Sequence, residues 1–135
     1  MKKLIFIPVF FLVAVTAGFA QGVMKFKEET HNFGKIPQGT PVTTEFVFTN
    51  TGNAPVVLSE VKPTCGCTTP EYTKTPVAPG KTGVIKATFN AAAAGPFNKS
   101  ITVTSNAETP AITLFLKGEV EKKAVSSAAV KPTSK

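Results

Sequence analysis

The 135-residue chain contains no arginine, no aspartate and no tryptophan, and it has one tyrosine, one histidine and two cysteines. Each scarcity narrows the chemistry. Without arginine, the formal charge of +7 comes entirely from lysine, a mobile point charge lacking the planar fork that clamps phosphate or reads guanine edges. Nucleic-acid recognition is not expected, and the lysines read as a solvated surface with some attraction for anionic partners. The aromatic mass lies in eleven phenylalanines, rings that need no hydrogen-bond partner, which is core composition rather than a stacking platform. A single histidine cannot supply paired zinc-binding imidazoles, and the sequence has no Gly-x-Ser-x-Gly elbow, Walker loop or dinucleotide fingerprint. The expectation is a protein that is not an enzyme and needs no cofactor.

Long apolar runs are scarce too. The longest, Leu4 to Val15, follows Met1-Lys2-Lys3 and precedes Gly18-Phe19-Ala20. It falls short of the roughly 20 residues that a bilayer span requires. A basic start, a short apolar stretch and small residues match a cleavable secretory signal over residues 1–20, with cleavage before Gln21. The mature protein is therefore expected in the periplasm or outside the cell, not spanning the membrane. Loss of Lys2 and Lys3 with the leader lowers its charge to +5.

Residues 21–120 alternate apolar and polar positions, with turn residues at short intervals, the pattern of an all-β sandwich. A first strand opens at Met24 and Phe26 and resumes after Glu29 through His31 and Phe33. In the second, Val42, Thr44, Phe46 and Phe48 share one face. Asn50 to Pro55 reads as a turn, a third strand runs from Val56 to Val61, and Pro63 ends it. Prolines at 70, 76 and 79 make the stretch to Lys81 a surface connection with room for a short edge strand. Val84 to Asn90, Phe97 to Ser105 and Ala111 to Val120 complete about seven strands. The four alanines from Ala91 to Ala94, followed by Gly95-Pro96, are too short for a helix and read as a loop. Residues 121–135 are rich in lysine, alanine and serine and are expected to be a disordered tail.

The two cysteines flank one glycine, Cys65-Gly66-Cys67. In an exported chain a pair normally forms a disulfide. Residues two apart in a strand lie near the upper limit of Cα separation for a bridge, so Gly66 is expected to bend the backbone. Such a bond closes too small a loop to stabilise the fold much. Three alternatives stand beside it. Two thiolates suit a soft ion such as copper(I) or zinc, with His31 and Met24 as further candidate ligands if the first strand passes beside the loop. Thiol–disulfide exchange is the second, although the helix N-terminus that lowers a thiol pKa in two-residue-spaced motifs is missing. The third is a pair of buried free thiols or a bond to a partner chain. His31 with Glu28 and Glu29 is the one acid–base cluster in the sequence. On an extended strand Glu29 and His31 share a face, which allows an ion pair, and the histidine reads as a satisfied surface residue.

Several fragments together resemble domain-of-unknown-function family 1573: Phe33-Gly34-Lys35-Ile36 with Gly39, Phe46 to Gly52, Cys65-Gly66-Cys67-Thr68, Pro76 to Gly80, Gly95-Pro96-Phe97 and Ser105-Asn106. The resemblance spans Lys25 to Val120, with Asn32 standing where the family pattern carries an acidic residue. It implies an immunoglobulin-like β-sandwich related to Hydin-type and pilus-chaperone-type domains, exported by Gram-negative bacteria and without an agreed activity. The expected function is a non-catalytic binding or structural module of the envelope, monomeric or weakly oligomeric, that meets a protein partner through sheet edges or end loops. Phe115, facing away from the expected core, and Tyr72 and Lys74 in the proline-rich connection are candidate contacts. The alternative is a periplasmic metal-handling or thiol-redox protein using Cys65 and Cys67.

Overall fold

The computed structural model describes residues 18–122. Most of the expected leader and nearly all of the expected tail lie outside them. Among the described residues there are eight strands and no helix: β1 (Met24–Phe26), β2 (Thr30–Pro37), β3 (Val42–Asn50), β4 (Leu58–Pro63), β5 (Thr68–Tyr72), β6 (Thr82–Phe89), β7 (Gly95–Ser105) and β8 (Ala111–Glu121). One sheet has the order β1-β3-β6-β5 and the other β2-β8-β7-β4. The expected first strand is thus two strands in two sheets. Its bend at residues 27–29 carries the chain across the sandwich, so β2 joins β8 in parallel, whereas the other pairings are antiparallel.

The inner faces follow the period of two. Phe46 and Phe48 from β3 and Ile85 and Ala87 from β6 meet Ile101 and Val103 from β7 and Leu114 and Leu116 from β8, all with no solvent exposure. Each large side chain so buried contributes about 1.5–3 kcal/mol. Phe48 lies directly opposite Gly83, where a Cβ would overlap its ring. A second, smaller cluster of Ile36, Phe89, Ala91 and Val120 closes one end, with Phe33, Val42, Cys67 and Phe97 packed against it.

Three local expectations change. The strand expected from Val56 begins at Leu58, and Val56 instead makes a single bridge to Val77. The edge strand in the proline-rich connection is present as β5, with Pro70 inside it, a position an edge strand tolerates because one side needs no ladder donor. His31 pairs with Glu28, Nδ1 to Oε1 at 2.8 Å, and not with Glu29. The bend between the sheets replaces the extended geometry that would have placed Glu29 beside it, and the Glu29 carbonyl accepts the Phe115 N–H instead.

The largest change concerns Asn50, read from sequence as the start of a turn. It is the last residue of β3 and is fully buried. Its Oδ1 accepts the N–H groups of Val23 and Gly52 at 3.2 and 3.0 Å. Its Nδ2 donates to the carbonyls of Ala54 and Val77 at 2.7 and 2.9 Å. The backbone N–H donates to Lys81 O and the carbonyl accepts from Gly80. One side chain thus serves the segment before β1, the turn after β3 and the connection before β6. Replacing it with alanine strands several buried partners, each at about 1–3 kcal/mol. Asn50→Ala should therefore lower unfolding free energy by roughly 3 kcal/mol or more in urea titrations. Asn50→Asp should be at least as damaging, because a carboxylate would face two carbonyls. A loss under about 1 kcal/mol would show the side chain to be dispensable.

Candidate functional site at the Cys65 loop

The chain crosses from β4 in one sheet to β5 in the other through Thr64-Cys65-Gly66-Cys67, and both ends of this crossing are anchored. The Thr64 N–H and hydroxyl donate to Ser100 O at 3.0 and 3.1 Å. The Cys67 carbonyl accepts the Asn90 N–H at 2.9 Å, just before Thr68 enters its register with Phe89. Within the crossing, Cys65 and Cys67 are joined as a disulfide with their Cα atoms 5.3 Å apart, inside the usual range for a bridge. Both cysteines are half-buried and Gly66 is exposed.

The bend does not depend on glycine. Gly66 lies outside the left-handed region, and a Cβ on it would meet no atom within 4 Å. A tight turn anchored at both ends shortens the Cα separation, which corrects the expectation that Gly66 itself supplies the bend.

Beside Cys67 lies a groove of about 230 Å³. Phe89 and Phe97 line it, their rings stacked with centroids 4.2 Å apart. Its lip is the loop from Asn90 to Ala94. This loop is tied to the β2–β3 turn by Gly39 N–H to Ala91 O and Gln38 Nε2 to Ala92 O, and Ala91 takes a left-handed φ of 52°. Lys99 is the one charged residue among those lining the groove. A larger depression, about 360 Å³, lies over Gly34 and Gly118 beside β2 and β8, but it is shallower and more open. At its margin the Asn32 Oδ1 accepts the Gly34 N–H at 2.9 Å, a bond that an acidic side chain would make equally well.

The sequence candidates are dispersed. Met24 is buried in the main core on β1, and His31 sits on β2 with its ring edge-on to Phe33. β1 and β2 form one long edge of the sandwich, while the cysteine crossing joins β4 and β5 at the other. Phe33 and Phe97 stand between His31 and the groove. The four-residue copper set is therefore not assembled, and among the described residues no three His, Cys, Asp or Glu side chains converge. Tyr72 is half-buried against the main core, with Lys74 Nζ 6.0 Å from its ring centroid. Phe115 lies on the outer face of the second sheet, between Thr30 and Ser100. Tyr72 and Lys74 are thus neighbours, whereas Phe115 belongs to the other sheet. The groove residues Phe89, Phe97 and Lys99 were not singled out from sequence as a site, because alternation alone assigns them to strand interiors.

A family model described as "Protein of unknown function (DUF1573)" matches residues 24–120. A structure of a protein of unknown function from Porphyromonas gingivalis W83 is 21% identical, with a TM-score of 0.67 over 82% of this chain and 51% of that one. The VesB protease of Vibrio cholerae is 12% identical, with a TM-score of 0.62 over 72% of this chain and 32% of that one. The ASH/PapD-like domain 7 of human CEP192 is 13% identical, with a TM-score of 0.61 over 87% and 98%. The chain thus spans about half the length of the first of these and about a third of the second. No curated protein matches it. At such identities the likeness shows the fold alone, an immunoglobulin-like β-sandwich.

Because Gly66 is neither crowded nor left-handed, Gly66→Ala should keep the fold and the bond. Intact mass without reductant should stay two hydrogens light, and stability should move by less than about 1 kcal/mol. Loss of the bond in this variant would restore glycine's freedom as the cause of the bend.

Proposed function

Because the chain belongs to the DUF1573 family, which is described as being of unknown function, its role has to be read from its own surface, and we propose that it is an exported, non-catalytic module that binds a protein segment at the groove beside Cys67. The contrast between guarded edges and an open end carries this reading. β1 is three residues long, and β2 changes register between Asn32 and Lys35. β4 changes register between Leu58 and Glu60 and ends in Pro63, and β5 contains Pro70. Short strands, bulges and prolines oppose pairing with a foreign strand. The end loops therefore remain as the docking surface.

The groove, at about 230 Å³, lies below the roughly 300–1,000 Å³ of most small-molecule sites. It suits one or two small side chains of an extended segment. Lys99 at its wall, and fifteen lysines against eight glutamates in the chain, favour an acidic segment. The basic, short-apolar start of the sequence supports export, so the partner belongs to the envelope or the secreted proteins, and the module acts as a monomer or weak oligomer. Non-catalysis is supported by the sole histidine, whose Nδ1 is engaged by Glu28.

The test compares the full chain with Ala93→Arg at the groove and Thr113→Arg on the outer face of β8. The groove variant should weaken binding of a captured envelope protein at least about tenfold, and the sheet-face variant less than twofold. Added salt should weaken binding by the wild type. Cys65→Ser, outside the groove's lining, should leave capture intact. Equal binding by all variants would overturn the groove as the docking surface.

A further inference from the structure

We propose that the Cys65–Cys67 disulfide is a thiol–disulfide exchange site in which Cys67 Sγ is attacked and Cys65 Sγ departs. Its substrate class is a protein dithiol presented at the groove. Although the groove is shared with the binding reading above, the exchange step needs no bound partner and is tested separately.

The first argument is that the bond has no structural task. It spans two residues of a crossing already held by Thr64 on β7 and by Cys67 O on the segment after β6. So short a loop gives little chain-entropy stabilisation. The main hydrogen-bonded hub, Asn50, lies at the far end of β3, whose other end, Val42, packs in the same cluster as Cys67. Opening the bond releases no strand.

The second argument is access with direction. The apex at Gly66 is exposed, and no atom lies within 4 Å of where its Cβ would be. Of the two sulfur-bearing residues, Cys67 lines the groove together with Lys99, whose charge attracts an incoming thiolate. Cys65 is not among the groove's lining residues, and its Sγ lies 3.8 Å from the hydroxyl of buried Thr68. A hydroxyl there can donate to a departing thiolate, and stabilising the leaving sulfur speeds exchange.

The electrons balance as follows. The first thiolate of the partner attacks Cys67 Sγ, the Cys65–Cys67 bond breaks, and its electron pair goes to Cys65 Sγ. A mixed disulfide now joins the partner to Cys67. The second partner thiolate attacks the partner's own sulfur in that bond, and Cys67 leaves as thiolate. The partner carries away a disulfide, and two electrons and two protons remain on the Cys65 and Cys67 dithiol.

The experiment treats the oxidised full chain with reduced glutathione, quenches with acid, alkylates, and locates the adduct by fragmentation mass spectrometry. Glutathione should be found on Cys67, and Lys99→Gln should slow its attachment about three- to tenfold. Thr68→Val should also slow bond opening while leaving the adduct on Cys67. The Cys65→Ser/Cys67→Ser double variant should melt at the wild-type temperature. Adduct on Cys65, a rate indifferent to Lys99→Gln, a bond that excess glutathione leaves closed, or a double variant that melts far below wild type would each overturn the proposal. Because Cys65 is not among the groove's lining residues, Cys65→Ser, which cannot hold the bond, is the control for partner capture, and loss of exchange with retained capture separates this proposal from the binding reading.

Discussion

A buried amide makes four side-chain hydrogen bonds at one end of the sandwich, and most of that end depends on it. Asn50 completes β3 in phase with Phe46 and Phe48, so its side chain points inward where water cannot reach it. A buried amide is tolerable only if both of its donors and its acceptor lone pairs find partners. Here they find backbone groups of Val23, Gly52, Ala54 and Val77. Three irregular segments thereby acquire a common anchor where no ladder could form. The opposite end is closed by packing instead, through Phe89, Phe97 and their neighbours, and that is the end that carries the disulfide and the groove.

This division explains what was legible in the chain and what was not. The inward faces of β3, β6 and β8 followed from alternation, because a sheet with one buried face enforces a period of two. The split of the first strand was not legible. Alternation reports which side of a strand is buried and is silent on which sheet the strand joins. Which of the two glutamates beside His31 meets its ring was not legible for the same reason, since a bend between sheets changes which neighbours meet. Asn50 did leave a signal: it continues the series Val42, Thr44, Phe46, Phe48 by one more inward step. Its turn-forming habit outweighed that parity in the sequence reading.

At the cysteines, the motif identified the place but not its surroundings. Residue spacing brought attention to Cys65 and Cys67, whereas the groove arises from β6, β7 and the alanine loop, which lie far away in sequence. The metal ligand set failed on topology, because β1 and β2 run along the edge remote from the cysteine crossing. Gly66 illustrates a different limit. A glycine between two cysteines invites a conformational explanation, yet the backbone there uses an ordinary φ and the turn is held by its anchors.

The parallel pairing of β2 with β8 has a consequence for how the molecule assembles. Thr30 lies against Phe115 and Ile36 against Val120, so the start and the finish of the sandwich are neighbours. β8 also stands between β2 and β7, so until it arrives β2 has no partner in its sheet and β7 is paired on one side alone, to β4. A chain delivered from its N-terminus therefore cannot pair β2 before β8 emerges. Long-range pairing of this kind makes folding slow compared with local structure. The second sheet is therefore completed only once β8, the last strand, is present.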